Sequence, residues 1–195
     1  SNFLPFFDTL SAPSKYEIAR FVMDIVVRTV TASEPISDPV AINVLTYLCE
    51  IMADTVNALT IQDETRQISA YICHVVRLVD YEEDFEEELK FYTDCRGKFC
   101  DLDAVQIELV HRVNALAVRT LDRVGGRHTS RTSGFAKACC AFTFITIPSI
   151  PSTLVRFQLY LESAQVALMN HCLGQSEAML EAAISSIAEF SPTPS

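Results

Sequence analysis

From Asp38 to Leu59 the polar side chains Asn43, Thr46, Glu50, Asp54 and Asn57 recur every three or four residues. On a helix that spacing gathers them into one narrow stripe. Nearly everything between them is apolar (Val40, Ala41, Val44, Leu45, Leu48, Ile51, Met52, Val56 and Leu59), so roughly two-thirds of the circumference needs cover. Asp38 followed by Pro39 is a strong start, because the carboxylate accepts from free amides and Pro is tolerated in the first turn. The pattern predicts a helix with neighbours on both sides.

The same period runs along the rest of the chain. A helix over about 14–32 presents Ile18, Phe21, Val22, Ile25, Val26 and Val30 as a wide face to be buried. The apolar stretch Phe3–Phe7 with Leu10, which precedes it, reads as the remnant of an earlier helix or as a packing segment. Thr60 and Asp63 give a capping signal for a third helix, with Ile68, Ile72, Val75 and Val79 as its stripe. A short acidic helix over about 83–96 turns Phe85, Leu89 and Tyr92 inward, and Cys95 and Phe99 close that face. A fifth, begun by Asp101 or Asp103, carries Val105, Leu109, Val113, Leu116 and Thr120 and ends at Gly125-Gly126.

After a polar connection over 127–133, the sixth helix has no charge from Ala138 to Ile147, which predicts that at least one of Phe142 and Phe144 is fully buried. Its small residues, Ala136, Ala138, Cys139, Cys140 and Ala141, suit close backbone approach. Pro148 and Pro151 break the chain. A seventh helix over about 151–172 keeps Gln158, Glu162 and Gln165 outward and is stopped by Gly174. The eighth, over about 176–190, turns Glu177, Glu181 and Ser185 to water, and SPTPS reads as a loose end.

Pairing these helices gives units starting near 14, 63, 103 and 151, a spacing typical of HEAT-like helix pairs. The fold class predicted is all-α, a HEAT-like α-solenoid segment of stacked antiparallel helix pairs, with 1–195 as one segment and four pairs over about 14–190. A plain helical bundle competes with it. Few glycines (5) and no Trp agree with packed helices. The Ser-Asn start, with neither Met nor a signal-like segment, reads as a fragment of something longer.

Charge narrows the functions. The net charge is −10, and ten acids against three bases lie between Asp80 and Asp103. Binding of nucleic acid or anionic lipid by the whole surface is disfavoured. No apolar run reaches the length of a membrane span. Seven cysteines scattered through helical stretches suit reduced, mostly buried thiols in a reducing compartment. Cys95 and Cys100, with His74 or His111, are spaced too widely for the usual zinc pair. No nucleophile–base set or phosphate loop stands out, so no catalytic residue, cofactor or metal ligand is predicted. The acidic stretch Tyr81–Glu88 reads as a solvated face. The one concentrated positive patch is Arg119, Arg123, Arg127, His128, Arg131 and Lys137; its loop residues Arg123, Arg127, His128 and Arg131 are the candidate partner-binding set.

Several strings resemble a known family. They are Pro35-Ile36-Ser37-Asp38-Pro39-Val40, Thr55-Val56-Asn57-Ala58-Leu59-Thr60 and Phe85-Glu86-Glu87-Glu88-Leu89-Lys90-Phe91-Tyr92. Phe99-Cys100-Asp101-Leu102, Phe144-Ile145-Thr146-Ile147-Pro148-Ser149, Leu159-Tyr160-Leu161 and Ser163-Ala164-Gln165-Val166-Ala167-Leu168 continue the series in order. Together they resemble the large α-solenoid subunits of retriever, the retromer-like endosomal recycling complex. These are packing strings, and the resemblance implies a non-enzymatic scaffold. It implies partners too: a metallophosphoesterase-fold subunit cupped by the carboxy-terminal half, and other retriever/commander subunits. It implies a cytoplasmic, endosome-associated location reached through those partners. The amino-terminal motif for the arrestin-like subunit is absent from this chain, and the segment reads as stopping short of the last solenoid turns. The alternative function is a small helical enzyme or ligand-binding bundle using a buried thiol and the polar residues of the Asp38–Leu59 helix.

Overall fold

A computed structural model describes residues 7, 9–30, 35–56 and 62–188. Among these are eight α-helices and no strand; an isolated parallel bridge joins Ile36 and Val79. The all-α class expected from the stripes holds and is consistent with a helical solenoid. The chain divides into two compact units, Ser1–Glu83 and Asp84–Ser195.

The first unit contains α1 (Ala12–Thr29), α2 (Pro39–Ala53) and α3 (Gln62–Leu78). Asp38 caps α2 as its sequence suggests, accepting from the amides of Val40 and Ala41 at 3.2 Å each. α2 packs against both α1 and α3, and Ile42, Leu45, Leu48, Cys49 and Met52 are buried on it. Two expectations fail here. Thr46, expected on the polar stripe, is buried and satisfies its hydroxyl on the carbonyl of Ile42. The helix also stops at Ala53 rather than continuing to Leu59, because Thr55 turns back and donates both its amide and its hydroxyl to Met52. Asn57, Leu59 and Thr60 lie outside the described residues.

α1 departs further from its pattern. Only Ala19 and Met23 are buried along it, whereas Ile18, Phe21 and Ile25 are exposed, Phe21 at 65%. The helix packs against α2 and α3, and of its expected face Val22, Val26 and Val30 are only half-buried. The stripe Ile68, Ile72, Val75 and Val79 is buried as expected. Phe7 is buried too, edge-on to Tyr47 with ring centroids 6.2 Å apart; Phe3 to Phe6 lie outside the described residues.

The second unit is built from α4 (Phe85–Lys98), α5 (Asp103–Arg123), α6 (Ser130–Thr146), a 3₁₀ turn (Ile147–Ser149), α7 (Thr153–Met169) and α8 (Leu173–Ala188). α5 packs against α4, α6 and α7, and its whole predicted stripe is buried. Gly125 and Gly126 end it at φ 58° and 77°, with the Gly126 amide reaching back to Leu121. These are values that favour glycine.

α6 begins three residues or more before the expected end of the polar connection. Thr129 and Thr132 cap each other's backbone amides and start the helix at Ser130. Phe142 is buried at 5% exposure, whereas Phe144, 41% exposed, and Ile145 are not, so the uncharged helix is only partly covered. Gly174 does not stop α7. The stop is Asn170–His171, where the Asn170 amide group donates to Val166 and His171 adopts φ 59°, leaving Gly174 in the first turn of α8.

Candidate functional site

The part of the acidic stretch from Asp84 to Glu88 and three members of the basic cluster, Arg119, Arg123 and Arg131, meet inside the second unit. Asp84 caps α4 by accepting from the Glu87 amide at 3.1 Å, which fixes the direction of the first turn. That turn points Glu88 inward, where it is 0% exposed, so this member of the expected solvated face is a core residue. Arg119 of α5 donates to both Glu88 oxygens at 2.9 and 3.0 Å, and the Tyr92 hydroxyl donates to one of them at 2.8 Å. Arg112 reaches the Tyr92 oxygen at 3.4 Å. Burial first, and then the Glu88 charge, push the Tyr92 phenol well above its ordinary value, so it stays a donor. A buried carboxylate held by two donors is tolerated because its lone pairs are occupied.

The ring of Phe85 lies beneath two cations. The guanidinium of Arg119 sits 4.9 Å from its centroid and that of Arg123 sits 5.7 Å away. At the surface, Arg131 places Nε and Nη2 on one oxygen of Glu86 at 3.0 and 2.7 Å. The Glu86 carboxylate raises the Arg131 value above that of a free guanidinium. Arg119, Arg123 and Arg131 thus find these partners on another helix, 31 or 45 residues away where hydrogen-bonded. Sequence distance concealed the pairing.

The other two candidate residues are placed differently. His128 is held by ring contacts, with Nδ1 3.2 Å from the Thr132 hydroxyl and Nε2 3.1 Å from the Asn170 side-chain oxygen. Since the amide nitrogen of Asn170 donates to Val166, its oxygen is the acceptor and Nε2 carries the proton. Arg127 is exposed, and its side chain makes no hydrogen bond or ion pair among the described residues. Arg123, Arg127, His128 and Arg131 thus form one edge at the ends of α5 and α6, in which Arg127 is the side chain left open.

Several structural residues gave no sequence signal. Asn114 and Ser163 are buried and bonded at 3.1 Å, and Asn114 also donates to Glu162. Glu162, expected outward, is held instead between His111 and Asn114. The His111 hydrogen bond is the main cause of its lowered pKa, against the opposing effect of burial. Gln106 donates to two carbonyls at the end of α4, those of Arg96 and Phe99, the latter also accepting from the Leu102 amide.

The thiols divide simply: Cys100 is exposed and the other six are buried. Burial, and then Cys172 beside it, push the Cys140 thiol up to about 12. Burial likewise pushes Cys139 upward. Such thiols are poor nucleophiles at neutral pH. Cys140 lines an apolar cavity of about 330 Å³ between α6 and α8, with Ala141, Phe144, Gly174, Ala178 and Met179 around it and Gln175 as its polar wall. Of the polar stripe of α2, Asn43 is exposed and Thr46 is turned onto its own backbone, and Asp54, just past the helix, is exposed. No group of three or more His, Cys, Asp or Glu is arranged to hold a metal among the described residues. No described helix is long and apolar enough to cross a membrane.

The family model for the VPS35L C-terminal domain matches residues 1–194. The chain is 43% identical over 189 residues to the human protein named VPS35 endosomal protein-sorting factor-like, covering 96% of this chain and 19% of that protein. It is 39% identical over 190 residues to the Drosophila melanogaster relative and 38% over 192 residues to the Dictyostelium discoideum one. These cover 97% and 98% of this chain and 19% of each relative, so it spans about a fifth of the length of the curated relatives it matches. A match over almost every residue, carried by helices whose packing stripes are buried as predicted in α3 and α5, places the chain in the VPS35L C-terminal domain family.

Proposed function

We propose that this chain is a non-enzymatic scaffold segment of an endosomal cargo-sorting complex of the retriever type. The observation that carries the reading is the similarity, along nearly the full chain, to proteins named as endosomal protein-sorting factors. In this reading the whole chain is one stretch of solenoid, cytoplasmic and held at endosomes through its partners. Its work is to present rigid helical surface, the part played by packing motifs that perform no bond chemistry. A metallophosphoesterase-fold subunit and other retriever/commander subunits are the proposed partners. The edge formed by Arg123, Arg127, His128 and Arg131 is the proposed contact with one of them.

Charge at a rim acts mainly on association rate and salt sensitivity. Arg127→Glu in the full-length parent is the cleanest test, since no side chain among the described residues is bonded to that of Arg127. Surface plasmon resonance against a retriever partner, at low and physiological salt, should show a slower on-rate and an unchanged thermal midpoint. Unchanged binding at both salts, with the variant correctly folded, would remove this edge from the interface. If the full-length parent itself captured no retriever subunit, the scaffold reading would fail as well.

A further inference from the structure

The loop between α5 and α6 carries a feature independent of the scaffold reading. Its sequence, Arg127-His128-Thr129-Ser130-Arg131, sets an arginine three residues before a serine. Ser130 is exposed at the first position of α6, and its hydroxyl makes no hydrogen bond among the described residues. Arg127 is exposed, with its side chain equally open. The two glycines before Arg127, both at positive φ, form the turn that leads into this stretch. The neighbouring hydroxyls are engaged, since Thr129 and Thr132 cap each other.

The same arginine-to-hydroxyl spacing occurs at Arg66 and Ser69, but there the serine is buried and its hydroxyl is bound to the carbonyl of Thr65 at 2.8 Å. A third instance, Arg28 with Thr31, has its acceptor outside the described residues. Ser130 is therefore the one serine or threonine at this spacing that is exposed among the described residues.

We propose that Ser130 is a phosphoacceptor for an arginine-directed protein kinase, and that its phosphate draws Arg131 away from Glu86. Such a kinase reads the guanidinium at the upstream position with carboxylates of its own, a charge pattern that selects the substrate. The Ser130 oxygen attacks the γ-phosphorus of ATP. The bond from that phosphorus to the β–γ bridging oxygen breaks, ADP leaves, and the hydroxyl proton passes to the kinase's catalytic aspartate. The product carries about −1.5 to −2 charge at pH 7 at the start of a helix, where anions are favoured. Arg131, the next residue, then has a phosphate in reach that competes with Glu86, and the exposed ion pair between α4 and α6 is exchanged for a local one. The edge made of Arg123, Arg127, His128 and Arg131 loses about half to two-thirds of its positive charge at the same time.

The test uses the whole chain, ATP and the catalytic subunit of a cyclic-nucleotide-dependent kinase as probe, with the phosphate located by peptide mass spectrometry. The expected result is one phosphate on Ser130 and none on Ser69. Ser130→Ala should abolish incorporation, and Arg127→Ala should slow it about tenfold, the value of one charge-assisted contact. No incorporation, or phosphate on a different hydroxyl in place of Ser130, overturns the proposal. Amide exchange of the phosphorylated chain then reads the second half: protection in the first turn of α4 should fall, and undiminished protection there overturns the exchange of Arg131 between Glu86 and phosphate.

Discussion

α1 and α5 carry comparable apolar stripes and come to opposite ends. α5 buries nine residues among three neighbouring helices, while α1 buries two and leaves Phe21, Ile18 and Ile25 in solvent. The difference is not hydrophobicity, because a stripe is only an offer of surface. A neighbour has to be present before burial contributes anything, and burial is worth roughly 25 cal/mol per Å² of apolar surface removed from water. α6 repeats the lesson within one helix, with Phe142 covered and Phe144, two residues on, open.

Single-residue changes should expose that contrast most strongly in the second unit. Phe142→Ala should cost about 3–5 kcal/mol, whereas Phe144→Ala and Phe21→Ala, at exposed positions, should stay within about 1 kcal/mol. Urea midpoints of the three variants measure this directly; equal losses would show that exposure in the structure does not report burial in solution.

Charge gives the next largest effect. Glu88→Gln leaves Arg119 facing a neutral amide in a closed site, and breaking such a pair costs about 3 kcal/mol, the lower end of the range because Arg119 is part-exposed and reaches water. Its surface counterpart, Glu86→Gln, should move the midpoint little, since exposed pairs are screened. If the two variants were equally destabilised, the division between a buried and a surface ion pair in this cluster would be wrong.

The smallest expected effect lies at alkaline pH in the first unit. Tyr16 donates to Glu64 at 2.8 Å, and burial, followed by that hydrogen bond and charge, raises its pKa to about 12. A raised value in the folded state means the contribution is complete below the unfolded pKa of about 10 and is lost as pH climbs toward 12. Tyr71, bonded to Asp24 and shifted upward for similar reasons, adds to the same trend. Tyr16→Phe should flatten the fall in stability between about pH 10 and 12; an unaltered slope would mean the phenol is not coupled to folding.

Much of the fold was legible from the chain. Asp38-Pro39 opens α2, Gly125-Gly126 closes α5, and the stripes of α3 and α5 name residues that are all buried. These signals act within a few residues, through caps, positive φ and the 3.6 period, and local physics suffices to read them. The Thr129–Thr132 cap was equally local, yet it was hidden by a polar composition that reads as loop. The candidate edge was legible as a cluster but not as an arrangement.

The sequence by itself determined helix identity, the uncharged surface of α6 and the crowding of arginine around 119–131. It also determined the family, because packing strings keep their order along the chain. Only the tertiary structure decided which apolar faces are covered, and that Glu88 is a core residue while Glu86 is a surface one. The same structure left Arg127 open and gave Arg119, Arg123 and Arg131 company. The reason is that burial and ion pairing depend on what a second helix brings to within a few ångströms. The period of one helix carries no record of its neighbour.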